Sequence, residues 1–179
     1  MKKKLWILVI IALVGGTVYW AIDNIQYKSS TSSTSTEQEA TYADATGSEM
    51  NAEYIMSSTN ELRVRERLNR LKTSNLLTES ACLKLDDMVA RDYWAHDAPD
   101  GTEPWTFFTK VGYRYRSAGE NLAYGQKTVE GLMEDWMNSP THRDNLLASK
   151  WDEQGVCTKF VHFQGKDVWL TVHHFGVRN

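Results

Sequence analysis

The sequence predicts an α+β domain, its mainly antiparallel sheet covered by helices, carried outside a membrane by an N-terminal transmembrane helix. Three observations predict it. Apolar residues recur at helical spacing in several segments after residue 58. Segments rich in β-branched and aromatic residues close the chain. The run LWILVIIALVGGTVYWAI, from Leu5 to Ile22, holds no charged side chain. Helices first and strands last is an α+β order.

Taken in order, the uncharged run comes first. At about 1.5 Å per residue it spans roughly 27 Å as a helix, close to the thickness of a bilayer's hydrocarbon core. Lys2, Lys3 and Lys4 precede it, so the positive-inside rule puts residues 1–4 in the cytoplasm and everything after Asp23 outside the cell. A cleaved signal peptide, giving a secreted form, is the alternative; it calls for a shorter apolar core and a small-x-small cleavage site. The bulky end of the run, TVYWAIDN, favours an uncleaved signal anchor over 5–22 and a single-pass membrane protein. Residues 23–57 are rich in Ser and Thr, with acidic residues and little that could build a core; they read as a flexible extracellular stalk. Residues 58–179 are one domain's worth of chain. The net charge is -3, and beyond the N-terminal lysines acidic side chains outnumber basic ones, which excludes nucleic acid as an expected partner.

Within the domain, Ser58 and Glu61 form a capping box, and Leu62, Val64, Leu68 and Leu71 follow roughly on one helical face. A second helix is expected near Thr78, where Leu77, Ala81, Leu85 and Met88 line one side. Thr128 can cap a third, in which Val129, Leu132, Met133, Trp136 and Met137 recur at i, i+3, i+4, i+7 and i+8. GVCTKFVHF and DVWLTVHHFGV then read as two antiparallel strands joined by a turn at QGKD. The only cysteines are Cys82, beside the stripe of the second helix, and Cys157, on the first of these strands. In an oxidising exterior an even pair fits one disulfide; two buried thiols packed as small apolar residues are the alternative. Neither lies in a CxxC, which excludes zinc-finger and thioredoxin-like arrangements.

The polar motifs are His96 in YWAHDAPDG, Glu120 in GENLAYG and His142 in WMNSPTHRDN. All three stand just outside the predicted helices, where loops on a rigid scaffold can converge. Together with NELR at 60–63, SACLKLDDM and the closing HFG, they resemble the CAP superfamily of cysteine-rich secretory proteins, antigen 5 and plant pathogenesis-related proteins, and most of all its bacterial SCP-like extracellular branch. The resemblance covers essentially all of residues 58–179. It implies an α-β-α sandwich with a cleft lined by two histidines and acidic residues. His96 and His142 match the two cleft histidines, and Glu120 matches the first cleft glutamate. Eukaryotic members carry a second glutamate three residues after the tryptophan of the third helix; that position here is Ser139, as in many bacterial relatives. Glu134 lies on the same helix, but its spacing does not match.

Two imidazoles and a carboxylate suit a first shell for Zn²⁺ or a similar divalent ion with an open position for water. With Ser139 in place of the fourth acid, no general base for that water is evident, since Glu120 would serve as ligand or orienter. Binding is therefore favoured over hydrolysis. The expected ligand is a cell-wall fragment, a lipid or a small apolar molecule; the other readings are a metal-dependent hydrolase acting on peptide or cell-wall bonds, and a purely structural envelope or adhesion protein. Ser139 and His142 as nucleophile and base lack an orienting acid. His173 and His174 are neighbours on a strand and face opposite ways; the resemblance makes His173, where relatives often carry glutamine, a minor candidate to line the cleft. His162 reads as an ordinary strand residue.

Overall fold

The structure, a computed structural model, describes residues 50–179. The expected cytoplasmic N-terminus, the anchor at 5–22 and the stalk as far as residue 49 lie outside the described residues. Among the described residues no helix is long and apolar enough to cross a membrane. The elements follow one another as α1 (Ala52–Arg65), β1 (Lys72–Thr73), α2 (Asn75–Ala90), α3 (Trp105–Lys110), β2 (Tyr115–Tyr124), α4 (Val129–Asn138), α5 (Pro140–Leu147), β3 (Glu153–Phe163) and β4 (Lys166–Arg178).

Helix α1 starts inside the stretch read as stalk. Asn51, not Ser58, is its cap: the Asn51 side chain accepts from the amides of Glu53 and Tyr54, satisfying donors that a helix start otherwise leaves bare. Its buried face is Ile55, Met56, Thr59 and Arg63, so the inward stripe holds a polar residue and a cation where the sequence reading sought leucines. Arg63 is tolerated there because its guanidinium donates to the carbonyls of Asn69, Leu146 and Ala148. In α2 the expected stripe of Leu77, Ala81, Leu85 and Met88 is fully buried, although the helix opens at Asn75. Thr128 caps α4 by accepting from the Gly131 amide.

The strand order is β1-β3-β4-β2. Strands β3 and β4 form the expected hairpin, turning through Gln164 and Gly165, both at positive φ, as a two-residue turn matched to the twist of its strands requires. Strand β2 pairs antiparallel with the other side of β4, with Glu120 opposite His174. Strand β1 pairs parallel with β3. The sheet is thus mixed, where a mainly antiparallel one was expected. The reason is topological: the chain leaves β1 straight into α2 and returns beside it only at β3, the crossover that a parallel pair demands.

Alternation along the strands sends side chains into two cores. Ala123, Val156, Phe175 and Val177 pack with Ile55 of α1, Leu132 and Trp136 of α4 and Leu146 of α5. Leu122, Cys157, Leu170 and Val172 pack with Ala81, Leu85 and Met88 of α2. Helices therefore cover both faces, an α-β-α layering. Helix α2 lies so close to β3 that a Cβ on Gly155 would sit 2.2 Å from the Thr78 amide nitrogen. Cys82 and Cys157 are joined across this contact, with Cα atoms 5.0 Å apart. The bridge closes a loop of 75 residues in sequence, and in the chain-entropy model such closure stabilises the fold by roughly 4 kcal/mol. A Cys82→Ala, Cys157→Ala double variant should lose about that much in chemical denaturation; an unchanged unfolding free energy would show that the reduced chain is already constrained.

Candidate functional site

The segment GENLAY holds Gly, Glu and Asn, all poor strand formers, yet it is the C-terminal part of β2 and not a loop. Pairing with β4 imposes the extended backbone, and each residue of the motif answers a neighbour. A Cβ on Gly119 would lie 2.7 Å from the Trp151 ring. The Asn121 amide donates to the carbonyl of His142 at 3.0 Å. Asn145, also on α5, donates to Glu120 O and to Asn121 Oδ1, and its own carbonyl accepts from Trp151 Nε1. Helix α5, opened by Pro140 at its first turn as proline's fixed φ favours, is thereby laced to β2. His142 is carried inside this helix and not on a loop.

Glu120 alternates to the α2 face and is only 4% exposed. Its Oε1 is 2.6 Å from His96 Nδ1 and its Oε2 is 2.9 Å from His174 Nε2. Burial alone would raise this carboxyl, but hydrogen bonds from His174 and then His96 outweigh it and hold the group below its ordinary range. An ionised carboxylate only accepts, so both rings donate to it. His174 is sealed, with Phe108 against its ring at 4.5 Å and Ser80 Oγ 2.8 Å from Nδ1. Serine, histidine and glutamate thus lie in line, but Ser80 is fully buried and no substrate can reach its hydroxyl. His96 is the open end: its side chain is 55% exposed. The hydrogen bond to Glu120 raises the His96 imidazole above its ordinary value, against the opposing pull of burial.

Lys84, on α2, fixes the segment that carries His96. It is fully buried, and its ammonium donates to Tyr93 Oη and to the carbonyls of Ala95 and His96, while burial lowers its pKa. The open side of the assembly is a cleft of ≈ 350 Å³ lined by His96, Asp97, Trp105, Ala118, Glu120 and Asn145 among others. A separate groove of ≈ 300 Å³ runs between α1 and α4 over Leu62, Met133 and Met137.

The remaining sequence candidates sit elsewhere around β2. His142 stacks obliquely near Trp136, centroids 6.4 Å apart; burial, and then the charge of His96, lower its pKa. Ser139 caps the junction of α4 and α5, with its hydroxyl 3.4 Å from that of Thr141. His173 points to the opposite face from Glu120, packed 4.0 Å from Phe175 and 5.6 Å from Trp136, and His162 pairs with Asp167 at the hairpin end. Among the described residues no three His, Cys, Asp or Glu side chains converge as a metal-ligand group, and both oxygens of Glu120 are engaged by imidazoles. Sequence reasoning missed His174, Lys84 and Asp97. Strand alternation separated His173 from His174, but only the register, which sets His174 opposite Glu120, says which of them meets the carboxylate.

Comparison with known proteins agrees with this architecture. The family profile described as the cysteine-rich secretory protein family, CAP, matches residues 56–172. Two Bacillus subtilis proteins are similar: YkwD, 36% identical over 57% of this chain and 40% of its own length, and YlbC, named a membrane protein, 29% identical over 57% of this chain and 30% of its own length. The match thus spans less than half of either relative. Among solved structures, an outer surface protein of Borrelia burgdorferi superposes with TM-score 0.64 at 22% identity, over 75% of this chain and 100% of that one. An extracellular SCP-domain protein from Bacillus anthracis gives 0.62 at 24%, over 72% and 40%. A Staphylococcus aureus cysteine-rich secretory protein gives 0.56 at 26%, over 70% and 38%.

The buried titrating groups set a pH dependence. Burial, and then the charge of His174, push His173 well below 6.5, so it is neutral in the fold. Its Nε2–H donates to Gln154 Oε1, because Gln154 Nε2 is committed to Met56 O; Nδ1 is buried and makes no hydrogen bond among the described residues. A depressed histidine gives stability that is fully present above its unfolded value of 6.5 and lost as pH falls toward the folded value. Glu120 acts in the same sense below 4.5. His96, raised by Glu120, acts oppositely: its contribution is complete below 6.5 and lost as pH rises through its folded value. Below 6.5 the contribution of His96 is complete, while those of His173 and His142, both lowered, are being lost, so stability should fall from about pH 6.5 to about pH 5, and His173→Gln should flatten that slope in urea titrations run across the range. An unchanged slope would place the titration elsewhere.

Proposed function

The chain belongs to the CAP, or cysteine-rich secretory protein, family, and on that footing we propose that it is a membrane-tethered, outward-facing ligand-binding module whose cleft takes a fragment of the cell envelope. The observation that carries the reading is the Glu120 arrangement. A buried, ionised carboxylate orients a half-exposed imidazole at the mouth of a cleft of ≈ 350 Å³. Holding charge in a core is costly unless it is paired, and a purely structural pair would not need one partner open to solvent. Trp105 offers an apolar wall, and Asn145 and Asp97 offer polar contacts, a mixture suited to cell-wall material. The anchor at residues 5–22 supplies the tether, a reading in keeping with the name of YlbC.

The residues also suit a divalent ion in one respect. A carboxylate fixing one nitrogen of a histidine is the usual outer-shell arrangement of a metal ligand, so His96 through Nε2, together with the neutral His142, would hold the ion while Glu120 orients. The ion would supply a Lewis acid and an activated water. The raised pKa of His96 works against this, since the ion must displace a proton. Hydrolysis of peptide or cell-wall bonds is the second reading, favoured by Asp97, a further carboxylate in the cleft. For a lipid or small apolar ligand, the groove over Leu62, Met133 and Met137 is the better place.

Glu120→Gln keeps the shape and removes the charge. Binding of a soluble muropeptide, measured by calorimetry, should weaken about tenfold, the cost of losing one charge-assisted hydrogen bond, with zinc uptake followed on the same samples. A variant that binds as tightly as the native chain but melts much lower would give Glu120 a structural role only.

A further inference from the structure

Among the described residues strand β2 ends the sheet, so one of its edges has no strand beside it. The phase of its hydrogen bonds is fixed at several points. Gly125 donates to Trp169 O on β4, and the carbonyl of Gly176, the residue opposite Ala118, turns away from β2 to accept from Asp152. Odd-numbered residues of β2 therefore bond to β4, and the amides and carbonyls of Ala118, Glu120 and Leu122 face the free edge. Two of these groups are capped by side chains: Glu120 O accepts from Asn145 Nδ2, and Leu122 O accepts from Trp136 Nε1, each at 3.1 Å. The N–H and C=O of Ala118 and the N–H groups of Glu120 and Leu122 make no hydrogen bond among the described residues.

An exposed sheet edge is usually covered or blunted. This one is capped by Asn145 of α5 at Glu120 O and by Trp136 at Leu122 O, and beside Ala118, Gly119 and Glu120 it lies at the cleft. We infer that the open edge at Ala118–Glu120 is a docking strand for a short, extended peptide. The inference rests on the reading of the cleft as a ligand site and names the chemical class it takes. One incoming residue running antiparallel can exchange both of its backbone hydrogen bonds with Ala118, and one running parallel can bridge Ala118 O and the Glu120 amide, as in strand addition to other sheet edges. The cap of Asn145 on Glu120 O stops the pairing there, which limits the contact to a few residues. Ala118 is part-exposed and its small side chain leaves its backbone accessible, and Trp105 and His96 stand beside it for the peptide's side chains or terminus. A glycan offers hydroxyls without the donor–acceptor spacing of a strand, and so matches this edge less well.

The test uses the full chain in detergent micelles, labelled with ¹⁵N-alanine and ¹⁵N-glutamate, and three probes: trialanine, trialanine N-methylated at its central residue, and chitotriose. Trialanine should shift the Ala118 and Glu120 amide signals saturably, and N-methylation, which deletes one backbone donor, should weaken binding about tenfold. Ala118→Pro, a substitution an outward-facing edge position accepts, should weaken trialanine similarly; the methylated probe on the native chain gives the same readout should that variant misfold. Equal binding of the two peptides, or trialanine that leaves both amides unmoved, would overturn the inference. Saturable binding of chitotriose with trialanine silent would overturn it while keeping the cleft as a ligand site, and silence of all three probes would remove both.

Discussion

The site depends on a single charge taken out of water. Glu120 sits inside the α2 side of the sheet, where an unpaired carboxylate would be protonated or would unfold its surroundings. Both of its oxygens are matched, one by His174 from β4 and one by His96 from the segment after α2. His174 is in turn met by Ser80 of α2. One carboxylate thus fastens β2, β4, α2 and the loop that lines the cleft. Lys84 holds that loop from beneath through the carbonyls of Ala95 and His96, so the open imidazole is positioned by two buried charges of opposite sign.

Most of the signature motif serves this placement. Gly119 makes room for Trp151, Asn121 and Asn145 bind α5 to β2, and Trp136 caps the strand through Leu122. Asn121, Trp136 and Trp151 are buried and do not line the cleft, yet a shift in any of them moves His96 or His142 relative to Glu120. The tryptophans in particular act as spacers with one polar handle, burying large apolar area while their indole N–H groups satisfy backbone carbonyls.

Elements whose own periodicity decides their form were legible in the sequence. The stripe of α2, the threonine cap of α4 and the β3–β4 hairpin lie where spacing and turn chemistry put them. Elements decided by their neighbours were not. Strand β2 is composed of poor strand formers and exists because β4 pairs with it; α1 buries Thr59 and Arg63 where leucines would announce a face; β1 is two residues long and needs β3 to be a strand at all. The candidate site divides the same way. His96 and Glu120 were named from their motifs, and the structure sets them 2.6 Å apart. His174, which completes the carboxylate's pairing, could be found only from the register of two strands more than fifty residues apart in sequence.

The depth at which each group lies bears on what chemistry the cleft can host. Ser80, His174 and Glu120 have the composition of a hydrolytic triad, but burial closes the serine to any substrate. Its hydroxyl serves to satisfy the far nitrogen of His174. The proton-bearing group that meets solvent is His96, held by a carboxylate whose charge is itself secured from behind. An imidazole so held keeps a fixed direction and a favoured proton, which suits recognition of an anionic or hydrogen-bond-accepting group. A general base would need the opposite bias, a ring that readily gives up its proton near neutral pH. Within this pair of histidines that bias belongs to His142, lowered by burial and by the charge of His96. His142 is held on α5 by the lacing of that helix to β2 and is not among the residues that line the cleft, so the two rings are set for unequal roles.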